Sequence, residues 1–187
     1  GTATIRLRNL HSNYWPTNTT GSYYPNILPW KRIKISATWN ATTYDLYTGF
    51  IESWQPDFIM RPIKAPVMDL SCSDAIKNVS LKLLNNTTGY SAELSGTRVD
   101  NVLNTLGWPA STRAIDAGQS TLQATGILTN INAMTHLFTV EDTDLGIIFL
   151  TASGDMAFQD RHHRFNSPFT VSQAAFGDTS TDNKYSA

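Results

Sequence analysis

Two neighbouring runs of alternating residues constrain the fold more than any other feature of the chain. Their apolar members are predicted to share faces, and they are Ile33, Ile35, Ala37 and Trp39, then Tyr44, Leu46, Phe50 and Trp54. A period of two is typical of half-buried β-strands. The segment Asn40-Ala41-Thr42 between the runs predicts a tight connection, so the two runs form a long β-hairpin. Gly49 within it indicates a bulge or a close approach of two backbones.

Two further segments show the same alternation and predict additional strands. Their apolar members are Ala3, Ile5 and Leu7 in the first, and Met68, Leu70 and Cys72 in the second. Charged residues make up only 16% of the chain, against about 25% in typical domains. Much of the polarity comes instead from 24 Thr, 16 Ser and 14 Asn, which favour strands and turns. We therefore expect a β-rich α+β fold.

Helical spacing is confined to three places in the sequence. Ser73 or Asp74 is positioned to cap a short helix with an apolar face, and that face is Ile76, Val79 and Leu83. Thr97 and Asp100 form a predicted capping box, and Gly107 stands where a helix that follows them ends.

The third helical pattern introduces a second hairpin. Apolar spacing over 127–138 predicts a helix of about 12 residues. An apolar run over 145–150, a turn at Ser153-Gly154-Asp155 and alternation at Met156 and Phe158 predict a hairpin packed by that helix. From these patterns we expect a β-barrel with a flanking helix over 1–90, an α+β subdomain over 96–176, and a polar tail or the start of a further domain over 177–187.

Composition and motifs argue against several kinds of function. The formal net charge is −1, which leaves no cation excess for sequence-independent binding of nucleic acid. Cys72 is the single cysteine, so an intrachain disulfide and a four-thiolate zinc site are excluded. No stretch of 18 apolar residues predicts a membrane-spanning helix. Nucleotide-binding and hydrolase motifs are absent, and we expect no enzyme activity and no cofactor.

Histidines give one weak hint of a metal site. In a strand, Asp160 and His162 would point the same way, like two metal ligands, but the sequence identifies no third ligand. A polar strand end that contacts a neighbouring molecule is the simpler interpretation, and we expect no metal. His136 lies in the predicted second helix, where we expect a local hydrogen bond or exposure to solvent.

A long irregular segment, 9–30, is the best candidate site. It carries five aromatic side chains, which are Tyr14, Trp15, Tyr23, Tyr24 and Trp30. Loops this long in compact domains are usually functional or form contacts. Three interpretations stay open: the rings cover the open end of the chain's own barrel, contact another subunit, or stack on sugars. A basic cluster is a second candidate interface, formed by Arg161, His162, His163 and Arg164.

Several short motifs, in order, resemble minor tail proteins of tailed bacteriophages of the tail-tip or baseplate-hub type. The first three are Tyr24-Pro25-Asn26, Trp30-Lys31-Arg32-Ile33-Lys34-Ile35 and Leu46-Tyr47-Thr48-Gly49-Phe50-Ile51. The next are Leu70-Ser71-Cys72-Ser73-Asp74-Ala75, then Arg98-Val99-Asp100 leading into Leu106-Gly107-Trp108-Pro109, and Arg113-Ala114-Ile115-Asp116-Ala117-Gly118. The last runs from Gly154 to Arg164. The resemblance covers residues 23–178.

This resemblance implies a tail-tube-like antiparallel β-barrel followed by a smaller α/β subdomain. It also implies a structural role in the virion tail tip, with assembly in the host cytoplasm. Copies of the chain would form a ring, commonly a trimer, that joins the tail tube to other tip proteins, and DNA would only pass through its channel. In such proteins the chain continues beyond a Phe-Gly-Asp segment, here Phe176-Gly177-Asp178, into a second barrel.

Two other functions remain as alternatives at this point. The aromatic loop favours a receptor- or carbohydrate-binding module at the tail tip. A tail-associated hydrolase that opens the cell wall is the third hypothesis, although no catalytic set supports it.

Overall fold

The computed structural model describes residues 1–57, 66–172 and 177, and its strand-rich α+β architecture agrees with the predicted class. Four strands, β1 (Thr2–Arg8), β2 (Arg32–Trp39), β3 (Thr42–Asp57) and β4 (Val67–Ser73), form one antiparallel sheet. Their order is β1-β4-β3-β2, and the sheet curls like half a barrel. The closed barrel expected from the sequence is not formed by the described residues, because β1 pairs with β4, β2 pairs with β3, and both outer edges stay open.

The predicted first hairpin is correct, and its turn has a clear backbone cause. Asn40 and Ala41 both have positive φ angles, of 46° and 62°, as a two-residue turn between twisted strands requires. Gly49 marks a close approach, since a Cβ there would lie 2.5 Å from the carbonyl oxygen of Ser73.

The predicted shared face of Tyr44, Leu46, Phe50 and Trp54 is wrong, because β3 contains two bulges. Leu46 and Glu52 are the extra residues, and each interrupts the pairing register of β3. A bulge shifts the alternation by one residue. Ile51 and Trp54 therefore both face the core of the sheet, whereas Phe50, paired with Arg32, faces the opposite side.

The rest of the described chain forms a second unit, here called the helical unit. Its helices are α1 (Ile76–Ser80), α2 (Ser95–Thr105) and α3 (Ala133–Asp144). Its strands are β5 (Leu83–Asn86), β6 (Glu93–Leu94), β7 (Arg113–Ile115), β8 (Thr121–Leu122), β9 (Leu128–Asn132), β10 (Ile147–Leu150) and β11 (Met156–Gln159). They form the sheets β10-β11-β7, β5-β9 and β6-β8.

The helical unit corrects three local predictions. Helix α2 begins at Ser95, so Thr97 and Asp100 lie inside it and form no capping box. The helix predicted over 127–138 is instead strand β9 followed by α3, which is 12 residues long but begins at Ala133. Leu83 belongs to β5, not to the face of α1. The predicted hairpin over 145–158 is correct and forms β10 and β11.

Two separate cores hold the chain together. The core of the sheet contains four buried side chains, which are Ile51, Met68, Leu70 and Cys72. The helical unit buries thirteen, so the part expected to be the smaller subdomain holds the larger core. Val79, Leu84 and Tyr90, which the predicted division places with the barrel, pack into this helical core. Within the described ranges, no helix is long and apolar enough to cross a membrane.

Candidate assembly interface

The aromatic segment folds as a series of turns with neither helix nor strand between β1 and β2. Backbone amides at every third position from Ser12 to Tyr24 donate to the carbonyl three residues earlier, over 3.0–3.3 Å. Repeated turns of this kind satisfy the backbone without a neighbouring strand. The segment can therefore lie across the sheet and carry its rings there.

Two of the five aromatic side chains belong to the sheet's own core. Tyr14 and Trp15 are half-buried and pack against the buried cluster. The Tyr14 ring stacks on Tyr23 at 4.9 Å between centroids and lies 6.5 Å from the ring of Trp54. Tyr14 and Trp15 therefore pack on a face of the chain's own sheet.

The other three rings remain half exposed. Tyr23, Tyr24 and Trp30 each keep close to half of their surface accessible. Trp30 is fixed by its backbone, whose amide donates to the Ile51 carbonyl over 2.6 Å, and its ring centroid lies 6.5 Å from that of Phe50. These side chains are the part of the aromatic segment that another molecule can reach.

The basic cluster lies on the helical unit, after β11, and so on a different part of the fold from the aromatic segment. His163 lies at the start of a short 3₁₀ helix, His163–Phe165, and its Nδ1 is 2.7 Å from Oδ2 of Asp116. Arg161, His162 and Arg164 are exposed. Asp160 is engaged locally, since its Oδ1 accepts the His162 backbone amide and its Oδ2 accepts from the Gln119 side-chain amide.

The part of the chain that the structure describes contains no cluster of three or more His, Cys, Asp or Glu side chains suited to a metal ion. Burial raises the pKa of Tyr47 to about 12, with a further contribution from Cys72, so the phenol stays protonated at neutral pH. Burial likewise raises the pKa of the Cys72 thiol. Both groups are therefore neutral parts of the sheet's core.

Sequence analysis missed the exposed end of the first hairpin. Trp39 is 78% exposed, Leu46 58% and Tyr44 53%, although alternation suggested that these side chains are covered. They lie beyond the buried cluster, where no loop or strand of the described chain packs over them. The bulge takes Leu46 out of the regular alternation, and no residue type in the sequence marks it.

Several buried polar groups hold the helical unit in shape. Arg98 is 2% exposed, and its Nε lies 2.5 Å from Oε1 of Glu93. Arg98 also donates to the carbonyls of Ser91 and Gln123, and its guanidinium lies 5.2 Å from the centre of the Tyr90 ring. Such a pair fixes β6 and the start of α2, which is a structural role.

Asp144 is the second buried polar group. Its Oδ1 accepts from the Ser95 hydroxyl and from the amides of Gln119 and Ser120, over 2.8–2.9 Å. Burial alone would raise the pKa of Asp144, but these hydrogen bonds outweigh it and lower the pKa. The carboxylate thus ties α3 to α2 and to the 118–120 turn.

The surroundings of His136 differ from the local hydrogen bond or solvent exposure expected from the sequence. It is half-buried, stacks on Tyr90 at 5.8 Å between centroids, and its Nε2 is buried without a hydrogen-bond partner among the described residues. Burial, followed by the charge of Arg98, lowers the pKa of His136. The ring therefore packs as a neutral group.

No protein-family model and no curated protein sequence matches the chain. Among solved structures, the chain is similar to the 43 kDa tail protein of prophage MuSo2 from Shewanella oneidensis, with a TM-score of 0.48 and 13% identity over 84% of this chain and 45% of that one. It is also similar to a tail protein from Neisseria meningitidis MC58, with a TM-score of 0.49 and 11% identity over 97% of this chain and 56% of that one. The chain thus spans about half the length of each. Both are described as tail proteins, and neither description names a hub or a tip.

Proposed function

We propose that this chain is a structural subunit of a bacteriophage tail, of the tip or hub type, which forms a ring with copies of itself around the tail channel. The observation that carries the proposal is the curled four-stranded sheet, whose edge strands β1 and β2 have no further strand partner within the described ranges. The ordered motifs resembling minor tail proteins support the same role.

The two open edges are suited to pairing between copies. They are seven and eight residues long, so each offers backbone donors and acceptors over about 25 Å. When the edge of one copy pairs with the opposite edge of the next, the contact is head-to-tail and closes into a ring if the rotation allows. The half-barrels would then be completed by neighbouring copies.

Two of the four cationic side chains on the edge strands are paired within the sheet. Arg6 is paired with Asp69 of the adjacent strand over 2.6 Å, and Lys34 with Asp45 over 2.8 Å. Edge lysines and arginines usually protect an edge against association. Here both are held to carboxylates of their own sheet, which leaves the outer backbone accessible.

Cysteine pairs across the proposed edge contact test the ring. Within one chain, β1 and β2 are separated by β4 and β3, about 14 Å at three strand spacings, so a disulfide between them cannot form. We expect Thr4→Cys, combined in turn with Lys34→Cys, Ser36→Cys or Thr38→Cys, to give a ladder of covalent oligomers under oxidation at the correct register. Thr4→Cys alone should stop at dimers. If all three double-cysteine variants stay monomeric under oxidation, the proposed contact between strand edges is refuted.

An electron cryo-microscopy map of the virion tests the tail assignment itself. We expect several copies to surround a central channel between the tail tube and the other tip proteins. A single copy far from the tail axis would overturn the hub role.

Sugar binding remains the second candidate function because of one observation. The Tyr23 ring has one face stacked on Tyr14 and is close to half exposed, which is a suitable platform for a sugar ring. Binding on a glycan array that is lost in Tyr23→Ala and kept in Tyr44→Ala would favour this function. Absence of binding to any glycan would remove it.

A further inference from the structure

A cavity of about 390 Å³ lies between the sheet and the helical unit. The outer face of the sheet contributes Arg32, Thr48 and Phe50, and the helical unit contributes Trp108, Pro109 and Leu150 to its wall. The bulge at Glu52 leaves Phe50 on this side of the sheet, away from the sheet's own core. The cavity is therefore a junction between the two units, and Arg32 is the one residue of its described lining that belongs to an edge strand of the sheet.

The charge in this cavity is of one sign. Arg32 and Lys82 are the charged residues of its described lining, and no carboxylate lies among that lining. Lys82 is already engaged, since its Nζ donates to the Leu106 carbonyl over 2.8 Å. The backbone of Arg32 pairs with Phe50, but its guanidinium makes no hydrogen bond or ion pair with the residues that the structure describes. Its guanidinium is the available cation, and it extends towards Gly154, where an added Cβ would lie 3.6 Å from its Nη2.

The walls of the cavity are held in place before any ligand arrives. The Trp108 indole donates to the Thr112 carbonyl over 3.1 Å, and Arg113 donates to the Trp108 carbonyl. On the other side, the Thr48 hydroxyl donates to the Ala152 carbonyl over 2.9 Å and joins the sheet to the helical unit. Preorganised walls reduce the entropy cost of binding.

We propose that this cavity binds a peptide segment of a partner protein in which a carboxylate stands beside an aromatic or aliphatic side chain. The apolar side chain packs against Trp108 and Phe50, and the carboxylate accepts two hydrogen bonds from the planar guanidinium of Arg32. A single free guanidinium matches a single carboxylate, whereas a phosphate chain would require further unpaired cations. Arg32 is the first residue of the edge strand β2, but its side chain and the rest of the lining lie on the outer face of the sheet and on the helical unit, so the inference does not depend on the ring.

Three short peptides test the proposal by NMR titration of the full, isotope-labelled chain. They are Ac-Gly-Phe-Asp-Gly-NH2, its Asn counterpart and its Lys counterpart. We expect the Asp peptide to shift the amides of Gly49, Gly107 and Gly154 and to bind at least about tenfold more tightly than the other two. Equal affinities, shifts centred elsewhere, or no binding at about 5 mM would each overturn the proposal.

Variants then assign the role of the guanidinium. Arg32→Gln should lower the affinity for the Asp peptide at least about tenfold and leave the affinity for the Asn peptide unchanged. Lys34→Gln, which removes a cation from the same strand outside the cavity, should leave both affinities unchanged. An unchanged spectrum away from the cavity would show that Arg32→Gln still folds. If the dinucleotide dT-dT competes with the Asp peptide at equal concentration, the site is a nucleotide site and the proposal fails.

Discussion

The helical unit and the sheet bury their apolar side chains in different ways. Helices α2 and α3 pack on each other and on β10 and β11, around a core of thirteen buried residues with a buried ion pair and buried hydrogen bonds at its border. The sheet buries four, covers one face with an aromatic loop, and leaves both edges and the end of its hairpin exposed. Among the described residues, the first region covers most of its apolar surface, and the second leaves strand edges and large apolar side chains uncovered. Substitutions placed in one region or the other test this difference in packing.

The largest loss of folding stability is expected for a substitution in the core of the helical unit. Leu103 in α2 is fully buried, so Leu103→Ala removes apolar contacts and leaves a cavity. We expect the free energy of unfolding to fall by about 3–5 kcal/mol, as measured by urea denaturation. Leu81→Ala is the matched control, because Leu81 is 70% exposed and its loss should cost less than about 0.5 kcal/mol. Similar losses in both variants would contradict the assigned core.

The second-largest loss of stability is expected at a buried polar group, Asp144, beside the same core. Asp144→Asn weakens three hydrogen bonds and adds a buried amide, so we expect a loss of about 2 kcal/mol at neutral pH. The exposed Asp142→Asn should be nearly neutral.

The effect of Asp144 should also depend on pH in a defined direction. Because its pKa is lowered in the folded state, its contribution is present above the unfolded value of about 3.9 and is lost as pH falls through the folded pKa. The difference between wild type and Asp144→Asn should therefore shrink in strong acid, as measured by urea denaturation across a pH series. A constant difference would show that the charge of Asp144 is not involved.

A smaller loss of stability, confined to the sheet, is expected when the Tyr14 ring is removed. Tyr14→Ala removes the ring between Tyr23 and Trp54, which should cost about 1–2 kcal/mol. Hydrogen exchange should accelerate for amides of β3 and β4 and stay unchanged in α2. Tyr24→Ala serves as the control. Equal acceleration in both units would show that the sheet and the helical unit unfold together.

The smallest effect on stability should accompany a large effect on association. Trp39 is 78% exposed, so Trp39→Ala should change the free energy of unfolding by less than about 0.5 kcal/mol. Mass photometry should nevertheless show weaker self-association, because exposed tryptophans are frequent interface anchors. A destabilised monomer would place Trp39 in a core instead.

Sequence patterns predicted the sheet strands well because period two survives wherever the pairing is regular. They failed where two elements share one spacing: apolar residues at 128, 131, 134 and 137 fit one helix, although the chain changes from β9 to α3 at Ala133. The partners of Asp144 lie 24, 25 and 49 residues away, so no local pattern reveals them. Of the candidate interface, the sequence located the aromatic segment, but it could not separate its covered rings from its exposed ones. The domain limits at 90 and 96 stay a prediction, and residues 178–187 of the predicted tail lie outside the described ranges.

The extra residue at Glu52 determines which face of the sheet receives Trp54. Before Glu52, the even-numbered residues Thr48 and Phe50 line the junction cavity. After Glu52, the even-numbered Trp54 packs against the sheet's own core. If Glu52 took a regular place in the ladder instead of bulging, Trp54 would lie on the same side as Phe50 and opposite to Ile51. The sheet's interior would then lose the indole that lies 6.5 Å from the Tyr14 ring.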